Sequence, residues 1–475
     1  MNTLNDWLEW LAGIVWGPFL LIPLLLGTGL YLTVRLGGLQ FRKLGSALRL
    51  ALWERKDKGA VGGDISQFQA LTTALAATVG VGNIVGVAGA ISIGGPGALF
   101  WMWMTGLVGM ASKYSEAFLA VRFRTKDADG NASGGPQYYL MKAIKGRGGV
   151  VLSIIFAAFA ALAAFGIGNM TQANAVAGNM QNAFGVDPQV TGIVVAILVG
   201  IVILGGIKSI GNVTSALVPF MIVSYIIGAI YILTVNAAAV PHALALIFAD
   251  AFTGSAAVGG FLGSSLIIAM QLGVARGIFS NESGMGSAAI AAAAAKTTHP
   301  VRQGLVSMTQ TFIDTIIVVT MTGLVLVTTG VWSSGHDRNV LTSEAFSHGL
   351  PGQWGGYVVA IGVVLFAFST ILGWSYYGDR CVERLFGVRA VLPYRILFTI
   401  VVYVGATTHL DVVWNFADVL NGLMALPNLI GLLLLSGLIV RETKHYLAND
   451  PKLKASKEQV DEFMVGHRGA IDSGD

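Results

Sequence analysis

The sequence predicts an all-α polytopic membrane protein with about eleven transmembrane helices. Ten of these form two inverted repeats of five, and one extra helix precedes them. Three observations predict this class. The chain is 54% hydrophobic and only 11% charged, whereas soluble domains carry about 25% charged residues. Its apolar residues fall into runs long enough to cross a bilayer. Glycine is abundant, at 62 of 475 residues, as expected where helices pack closely in a membrane.

The individual spans follow from the lengths of the apolar runs, because a helix needs about 20 apolar residues to cross the hydrocarbon core. The predicted spans lie near residues 11–34, 68–92, 96–120, 150–180, 189–207, 212–235, 259–293, 304–330, 354–377, 395–408 and 419–440.

Basic residues alternate between successive loops. The segment 35–58 after the first span carries seven Arg and Lys residues, whereas loops 181–188 and 236–258 carry none. Loops rich in Lys and Arg stay in the cytoplasm. This places the N-terminus outside and the C-terminal tail inside, in the cytoplasmic membrane of a bacterial or archaeal cell. Segment 41–55 has helical amphipathic spacing and is predicted to lie on the inner membrane surface.

The domain organisation follows from the two sets of five spans. Each set opens with a glycine-interrupted helix, 68–92 around Gly80 and Gly82 and 259–293 around Gly273 and Gly277. Because five is odd, the second set enters from the opposite side, as in inverted-repeat transporters. The predicted parts are the N-terminal helix with its basic segment, the two repeats and the tail: 1–64, 65–236, 237–440 and 441–475.

The run from Thr78 to Asn83, TVGVGN, is the strongest functional signal. A break within a spanning helix is tolerated only where it faces protein or a water-filled cavity. There it offers amides to anions and carbonyls to cations. The run therefore predicts a substrate site. The alternative is that these glycines only permit tight helix packing, and for this short string alone the alternative is stronger.

Longer motifs point to a known family. The runs GVGNIVGVAGAISIGGPGALFWMWMTGLVGMASKYSEAFLA (80–120) and GVARGIFSNESGMGSA (273–288), with FIDT (312–315), resemble the alanine or glycine:cation symporter family, also called sodium:alanine symporters. The resemblance extends from Trp16 to about Tyr446. It implies the leucine-transporter fold, uptake of alanine and sometimes glycine, and sodium as the usual coupling ion.

An alanine zwitterion needs donors for its carboxylate and acceptors for its ammonium, because unpaired buried charge is costly. The amides of Gly80–Gly82 head a half-helix whose dipole favours a carboxylate. Unwound carbonyls at Gln271–Gly273 are expected to accept from the ammonium. Interhelical hydrogen bonding is the alternative for Gln172, and packing for Trp374. The predicted substrate-binding residues are Thr78, Gly80, Val81, Gly82, Gln172, Gln271, Leu272, Gly273 and Trp374.

Sodium is a hard cation and prefers oxygen ligands. Ser369 and Thr370 are adjacent hydroxyls in an apolar run, FAFSTILGW. The family resemblance matches them to a pair that holds sodium against carbonyls of the first core helix, here those of Ala76 and Val79. Asn83 is a candidate ligand of a second sodium. Without the resemblance, the more probable interpretation is that both hydroxyls bond back to their own helix.

Three charged residues are candidates for coupling or gating. Asp314 stands mid-span, and a carboxylate there is a functional hypothesis by default. It is expected to pair with Arg276, to sit near a cation, or to titrate and support proton coupling. Arg276 and Glu282 flank the predicted second break and are candidate gate residues, with structural pairing as the alternative.

No enzyme site is predicted. The sequence lacks a P-loop and an HExxH motif, and its single cysteine, Cys381, excludes an internal disulfide. No cofactor or nucleic-acid partner is expected beyond the transported sodium, the alanine or glycine, and the lipid bilayer. The sequence thus predicts a symporter coupling sodium influx to alanine or glycine uptake by alternating access. The alternatives are a proton-coupled symporter of the same fold and a membrane amino-acid sensor that does not transport.

Overall fold

The structure is a computed structural model that describes residues 2–17, 19–54, 57, 59–60, 62–253, 262–335, 340–350, 354–408 and 410–465. Within these ranges the regular structure is helical apart from one isolated β-bridge and a short antiparallel hairpin, β1 (Thr125–Lys126) and β2 (Ala132–Ser133). The predicted all-α class is confirmed. Several sequence assignments lie outside the described residues: the basic residues at 55, 56 and 58, the start of the second repeat's broken helix at 259–261, and the tail beyond 465.

The N-terminal region contains α1 (Asn2–Val15), α2 (Leu21–Arg35) and α3 (Leu39–Leu48), and α3 continues as a π-helical segment, Arg49–Trp53. The prediction of one unbroken span over 11–34 is wrong. The helix ends at Val15 and a new one begins at Leu21, and the intervening sequence contains Gly17 followed by a proline, which has no amide to donate. The chain then bends by 82° between α2 and α3. The predicted amphipathic helix after the first span is therefore present, and its location on the membrane surface stays a prediction.

The first repeat region begins with a broken helix. Its two parts, Gln67–Thr78 and Val81–Gly94, are bent by 58° relative to each other. Its third predicted span is one continuous helix from Arg147 to Phe184 with a π-helical segment inside it. The elements are α4 (Gln67–Thr78), a 3₁₀ turn (Val81–Asn83), α5 (Val85–Gly94), α6 (Gly97–Arg122), α7 (Pro136–Ala143), α8 (Arg147–Phe165), the π-segment (Gly166–Met170), α9 (Thr171–Phe184), α10 (Pro188–Ile203) and α11 (Gly206–Val235).

The second repeat region also contains a broken helix, and the last helix extends past residue 440 to Asn449. The elements are a 3₁₀ turn (Ala237–Ala239), α12 (Val240–Thr253), α13 (Leu262–Asn281), α14 (Ser287–Ala293), α15 (Pro300–Thr311), a π-segment (Phe312–Val319), α16 (Thr320–Thr329), a 3₁₀ turn (Val331–Ser333), α17 (Leu341–Gly349), α18 (Trp354–Phe386), a 3₁₀ turn (Val388–Ala390), α19 (Val391–Thr407), α20 (Leu410–Asn449) and, in the tail, α21 (Lys457–Met464).

The second break lies at 282–286, and its predicted position at Gly273 and Gly277 is wrong. Helix α13 runs through both glycines without a break. Their function is close packing on α6, since a Cβ at Gly273 would overlap the backbone of Ala98 and one at Gly277 would overlap Thr105. The chain leaves the helix where three residues have positive φ. These are Glu282 (56°), Gly284 (90°) and Gly286 (83°). Left-handed residues cannot continue a right-handed helix.

Six helices of the described chain are long and apolar enough to cross a membrane, and the number rises to eight if each of two bent pairs counts as one span. The pairs are α2 with α3 and its π-segment, and α4 with α5 and its 3₁₀ turn. The helices α10 and α12 are apolar but shorter. The predicted number of eleven spans stays a prediction.

The outer surface of the bundle is apolar. On α10, every fourth residue is an exposed isoleucine: Ile193, Ile197 and Ile201 are 50%, 58% and 67% exposed. Such an apolar stripe on a folded protein marks contact with lipid or with another protein. Many polar side chains are instead buried inside the bundle, where the two broken helices meet.

The segments predicted to be cytoplasmic lie together on one face. Arg302, in the first turn of α15, pairs with Asp57 at 2.6 Å and with Asp450 at 3.2 Å. Burial alone would raise the pKa of Asp450, but the amides of Lys454 and Ala455 and the Arg302 guanidinium lower it below its ordinary value. The basic segment, the loop before α15 and the tail therefore share a face. Which side of the membrane this face occupies stays a prediction.

Candidate substrate and sodium site

The first break lies at Val79 and Gly80, deep inside the bundle. Gly80 is extended (φ −131°, ψ −152°), and the 3₁₀ turn follows at once. A Cβ on Gly80 would overlap Thr370 Oγ1 and crowd Gln172 Oε1, so glycine is needed for this close approach. The hydroxyl of the preceding Thr78 donates back to Ala74 O at 3.0 Å. The predicted break is confirmed, and the substrate role of Thr78 stays a prediction.

Gln172 connects the fourth predicted span, 150–180, to this break. Its Oε1 accepts from the amide of Val81 at 3.1 Å, and its Nε2 donates to Ile167 O at 2.8 Å. Ile167 belongs to the π-segment Gly166–Met170, and such π-helical insertions are frequent at functional sites. Gln172 therefore forms an interhelical hydrogen bond, which was the alternative to substrate contact, and its substrate role stays a prediction. A substrate carboxylate binding at Val81 N has to displace or share the Gln172 amide.

Thr370 on α18 contacts the carbonyl that the sequence assigned to it. Its Oγ1 donates to Ala76 O at 2.8 Å and lies 2.9 Å from Phe366 O. Ser369 Oγ donates to Phe366 O, within its own helix. Close packing of α18 on α4 depends on Gly373, where a Cβ would overlap the backbone of Ala77. The structure thus places a hydroxyl and a helix-end carbonyl side by side next to the first break.

Asn83 joins the first break to the buried carboxylate of Asp314. Its Nδ2 donates to Asp314 Oδ1 at 2.8 Å, and its Oδ1 accepts from the amide of Gly80 at 3.1 Å. Asp314 also accepts from Ser280 Oγ at 2.8 Å and from Thr315 Oγ1 at 2.7 Å. One lone pair of Asn83 Oδ1 is therefore already used, and its role as a ligand of a second sodium stays a prediction.

Arg276 does not pair with Asp314, and the expected ion pair between these two residues is wrong. Arg276 instead forms a bidentate pair with Asp418 on α20, with N–O distances of 2.9 and 2.6 Å. Its guanidinium also lies over the Trp414 ring, 4.7 Å from the centroid. Asp418 is thus a charged residue of the site region that was not predicted, although a carboxylate directly before the last apolar run was a visible signal.

Glu282 and Arg276 belong to different networks and do not contact each other as one gate. Glu282 Oε2 accepts from Ser287 Oγ at 2.5 Å, and its backbone carbonyl accepts from Lys113 Nζ at 3.0 Å. Lys113 also lies 3.9 Å from Glu116, as expected for an i,i+3 pair. The second break is therefore held by charged side chains of α6, and the gating role of Glu282 stays a prediction.

Two further side-chain contacts satisfy the backbone of the second break. Glu116 Oε1 accepts from the amide of Gly286 at 3.1 Å, and Asn428 Nδ2 donates to Gly284 O at 2.8 Å. Inside a membrane protein, irregular backbone needs such partners because lipid supplies none. Asn428 was not predicted from the sequence, although its polar side chain in the last span was the available signal.

The carbonyls of Gln271, Leu272 and Gly273 lie inside the continuous helix α13. In a regular helix these carbonyls accept from amides four residues later. The prediction that they are unwound is therefore wrong. Trp374 is fully buried, and its side chain occupies the space that a Cβ on Gly168 would need. Its role in limiting the size of the substrate stays a prediction.

The comparisons with known proteins agree with this geometry. A model of the sodium:alanine symporter family matches residues 1–462. The chain belongs to this family. It is therefore a multi-pass membrane transporter of the amino-acid symporter class and not an enzyme.

Two relatives and two solved structures illustrate the match. The sodium/alanine symporter AgcS of Methanococcus maripaludis is 53% identical over 451 residues, which cover 94% of this chain and 96% of AgcS. The probable sodium/glutamine symporter GlnT of Bacillus subtilis is 36% identical over 469 residues, covering 97% and 95%. The structure of MhsT in complex with L-phenylalanine superposes with a TM-score of 0.57 at 16% identity, over 86% of this chain and 97% of MhsT. A manganese transporter mutant of Eremococcus coleocola gives a TM-score of 0.51 at 15% identity, over 89% and 96%. At these identities the structures show the fold alone, which is that of the leucine-transporter class.

Proposed function

We propose that this protein is a secondary active symporter that couples sodium influx to the uptake of alanine, with glycine as a second substrate. The observation that carries the proposal is the 2.8 Å contact between Thr370 Oγ1 and Ala76 O beside the first break. Membership in the sodium:alanine symporter family and the similarity to AgcS support it. The protein acts in the cytoplasmic membrane, with its N-terminus outside and its tail inside.

The proposed sodium ligands are oxygens of α18 and of the C-terminal end of α4, where Thr370 Oγ1 contacts Ala76 O. The carbonyls of Ala76 and Val79 and the hydroxyls of Ser369 and Thr370 supply uncharged oxygen donors, which suit a hard monovalent cation. A sodium ion held here lies between two helices and stabilises their contact. The same contact positions Gly80 next to Gln172, so sodium binding favours the geometry that receives the substrate. By linkage, the substrate then raises the affinity for sodium by the same factor.

The substrate binds at the first break, where space is limited. Backbone without side chains at Gly80 and Gly82 allows close approach of the carboxylate to the amides. A Cβ on Gly82 would lie 3.1 Å from the Phe279 ring, and Gly168 faces Trp374 without room for a Cβ. A site of this kind favours alanine or glycine over amino acids with large side chains. Rocking of one bundle of helices against the rest of the protein then alternates access to it.

The decisive experiment measures uptake of labelled alanine into proteoliposomes with and without an inward sodium gradient at matched pH. The proposal requires accumulation above the equilibrium level that collapses when sodium is absent. Uptake of glycine or glutamine instead of alanine would replace the substrate and keep the coupling mechanism. Glutamine is included because the relative GlnT is named a probable sodium/glutamine symporter.

A proton-coupled symporter of the same fold is the second candidate. It is favoured by Asp314, a fully buried carboxylate that contacts Asn83 of one broken helix and Ser280 of the other. Sodium-independent uptake driven by a pH gradient would transfer the coupling role to Asp314. The sensor alternative is disfavoured because the family consists of transporters, and any gradient-driven accumulation would exclude it.

A further inference from the structure

Asn421 on α20 is a buried amide that lacks hydrogen-bond partners. Its side chain is fully buried, and neither Nδ2 nor Oδ1 has a partner among the described residues. Leaving a buried donor and acceptor unpaired is costly, and most buried polar groups in native proteins are paired. Nearby Asn428 follows that rule, since its Nδ2 donates to Glu116 and to Gly284 O. Because the Asn421 amide is unpaired among the described residues, it is available to a bound partner.

The helical register shows where Asn421 lies on α20. Seven residues make almost two turns, so Trp414, Asn421 and Asn428 lie along one line of α20. The Trp414 ring contacts Phe279, with centroids 4.8 Å apart, and Asn428 contacts Gly284. Both ends of this line thus touch the chain at the second break. Asn421 lies midway between them on this line of α20.

The π-segment Gly166–Met170 packs on α20 close to Asn421. A Cβ on Gly166 would overlap Ala417, one turn before Asn421 on α20, and a Cβ on Gly168 would overlap Trp374 on α18. Gln172, one turn beyond Gly168, holds the amide of Val81 at the first break. Asn421 therefore lies one turn from the residue that packs on the π-segment, and the π-segment leads to Gln172 at the candidate substrate site.

The chemistry of a primary amide matches that of an amino-acid zwitterion. The ammonium and carboxylate of an α-amino acid are attached to one carbon, and the acceptor and donor of an amide are attached to one carbon as well. The structure removes the acceptors first expected for the ammonium, because Gln271–Gly273 lie in a regular helix. A buried ammonium without an acceptor is costly. Asn421 Oδ1 is a buried acceptor that remains free.

We propose that Asn421 is a substrate-binding residue: its Oδ1 accepts from the ammonium, and its Nδ2 donates to the carboxylate of the transported amino acid. This assignment rests on the proposed function, because it names a contact in the same site. It adds α20 to the elements that hold the substrate. It also explains why an uncharged amide is buried there, since a lone carboxylate or ammonium at this position would repel one end of a zwitterion.

The test compares alanine binding to the wild type and to Asn421→Leu, which keeps the size of the side chain and removes both polar atoms. The dissociation constant for alanine should rise at least about tenfold, as expected for losing a hydrogen bond to a charged group. Asn421→Asp keeps acceptors and loses the donor, so it should weaken alanine binding but spare L-alaninamide, which has no carboxylate. A change in the ratio of these two affinities would not follow from a structural role.

The matched control is Asn174→Leu on α9. The Asn174 amide already donates to Gly405 O and Thr408 O, at 3.2 and 2.6 Å. Its loss should lower the unfolding temperature and leave the alanine dissociation constant unchanged. If the leucine variant is not recovered as a monodisperse protein, alanine binding is measured on Asn421→Ala and Asn421→Asp instead.

Alanine binding within twofold of the wild type in a folded Asn421→Leu protein would overturn the assignment and indicate a bound water as the partner. An unchanged ratio of alanine to alaninamide affinity in Asn421→Asp would overturn it as well. Failure of the wild type to accumulate alanine with sodium would overturn the proposed function instead. The two failures are therefore distinguishable.

Discussion

Asn83 in the first broken helix donates a hydrogen bond of 2.8 Å to Asp314 in the π-segment that follows α15. The same asparagine accepts from the amide of Gly80, so one side chain ties the unwound backbone to the buried carboxylate. Ser280, just before the second break, donates to the other oxygen of Asp314. Asp314 is therefore the residue at which both broken helices are joined by hydrogen bonds. Movement of either helix away from this position has to break a charge-assisted hydrogen bond.

The first prediction concerns Asp314→Asn. Removing the charge weakens the hydrogen bonds from Asn83 and Ser280, each of which contributes about 1.5–3 kcal/mol when the acceptor is charged. We expect the sodium concentration for half-maximal alanine uptake to rise about tenfold or more, measured in proteoliposomes at constant pH. Thr315→Val, which removes one donor and keeps the charge, should have a smaller effect. Unchanged sodium dependence together with lost pH dependence would indicate proton coupling.

The second prediction concerns Thr370→Ala on α18. The hydroxyl lies beside Ala76 O, and without it the proposed sodium site loses one oxygen ligand. We expect a severalfold rise in the half-saturating sodium concentration, with Thr370→Ser close to the wild type. Ser375→Ala is the matched control, because that buried hydroxyl on the same helix donates only to Leu372 O in the preceding turn. Equal sodium dependence in the Thr370 and Ser375 variants would remove Thr370 from the ligand set.

The two broken helices differ in how well the sequence located them. The first break was predicted because Gly80 and Gly82 precede Asn83 in the sequence. In the structure the Asn83 side chain accepts from the unwound amide of Gly80. The second was misplaced because glycine in a membrane helix permits two structures, a break or close helix packing. Gly277 serves packing. The residue that opens the real break, Glu282, adopts a positive φ without being glycine, so local sequence carried no signal for it.

Side-chain partners were harder to predict than the fold. The contact of Thr370 with Ala76 followed from the family resemblance. The pair of Arg276 and Asp418 joins residues 142 positions apart, and no local pattern identifies which of several carboxylates an arginine will meet. Asn421 was visible as a polar residue in the last span, but its sequence did not distinguish it from Asn428. Its importance depends on the absence of partners, which only the packed structure reveals.

The third prediction concerns the bidentate pair of Arg276 and Asp418, which joins α13 to α20. Arg276→Lys keeps the charge but loses the planar fork and the stacking on Trp414. Asp418→Asn leaves the guanidinium without a charged partner. We expect a double-mutant cycle on the free energy of unfolding to give a coupling of about 1–3 kcal/mol.

The size of this coupling free energy distinguishes a buried ion pair from an exposed one. Exposed ion pairs contribute about 0–1 kcal/mol, and these side chains are only 15% and 11% exposed. The pair of Arg49 and Glu54, whose side chains are 37% and 40% exposed, is the matched control. Equal couplings for the two pairs would mean that the Arg276 pair adds nothing specific between α13 and α20.

The last prediction concerns the link between the two broken helices at their shared face. Ile65, before α4, forms a parallel β-bridge with Ala295, just after α14. The amide of Lys296 donates to Ile65 O at 2.8 Å, and the amide of Asp64 donates to Ala294 O at 2.8 Å. The start of one broken helix is thus bonded through the backbone to the end of the other. We therefore expect these backbone bonds to make the two half-helices move as one body.

Gly63 makes this bridge possible, since a Cβ there would overlap the backbone of Ala295 and the amide of Lys296. Gly63→Val should separate the two segments and increase hydrogen exchange at the Lys296 amide. The control is Gly148→Ala, where an added Cβ meets open space, and it should leave this exchange unchanged. If the half-helices move together, the variant should also lose sodium-driven uptake more than it loses alanine binding. Unchanged exchange at Lys296 would show that the bridge tolerates a side chain. If hydrogen exchange at the Lys296 amide is normal but sodium-driven uptake is impaired, the backbone bridge is intact. The loss of uptake then has a different cause.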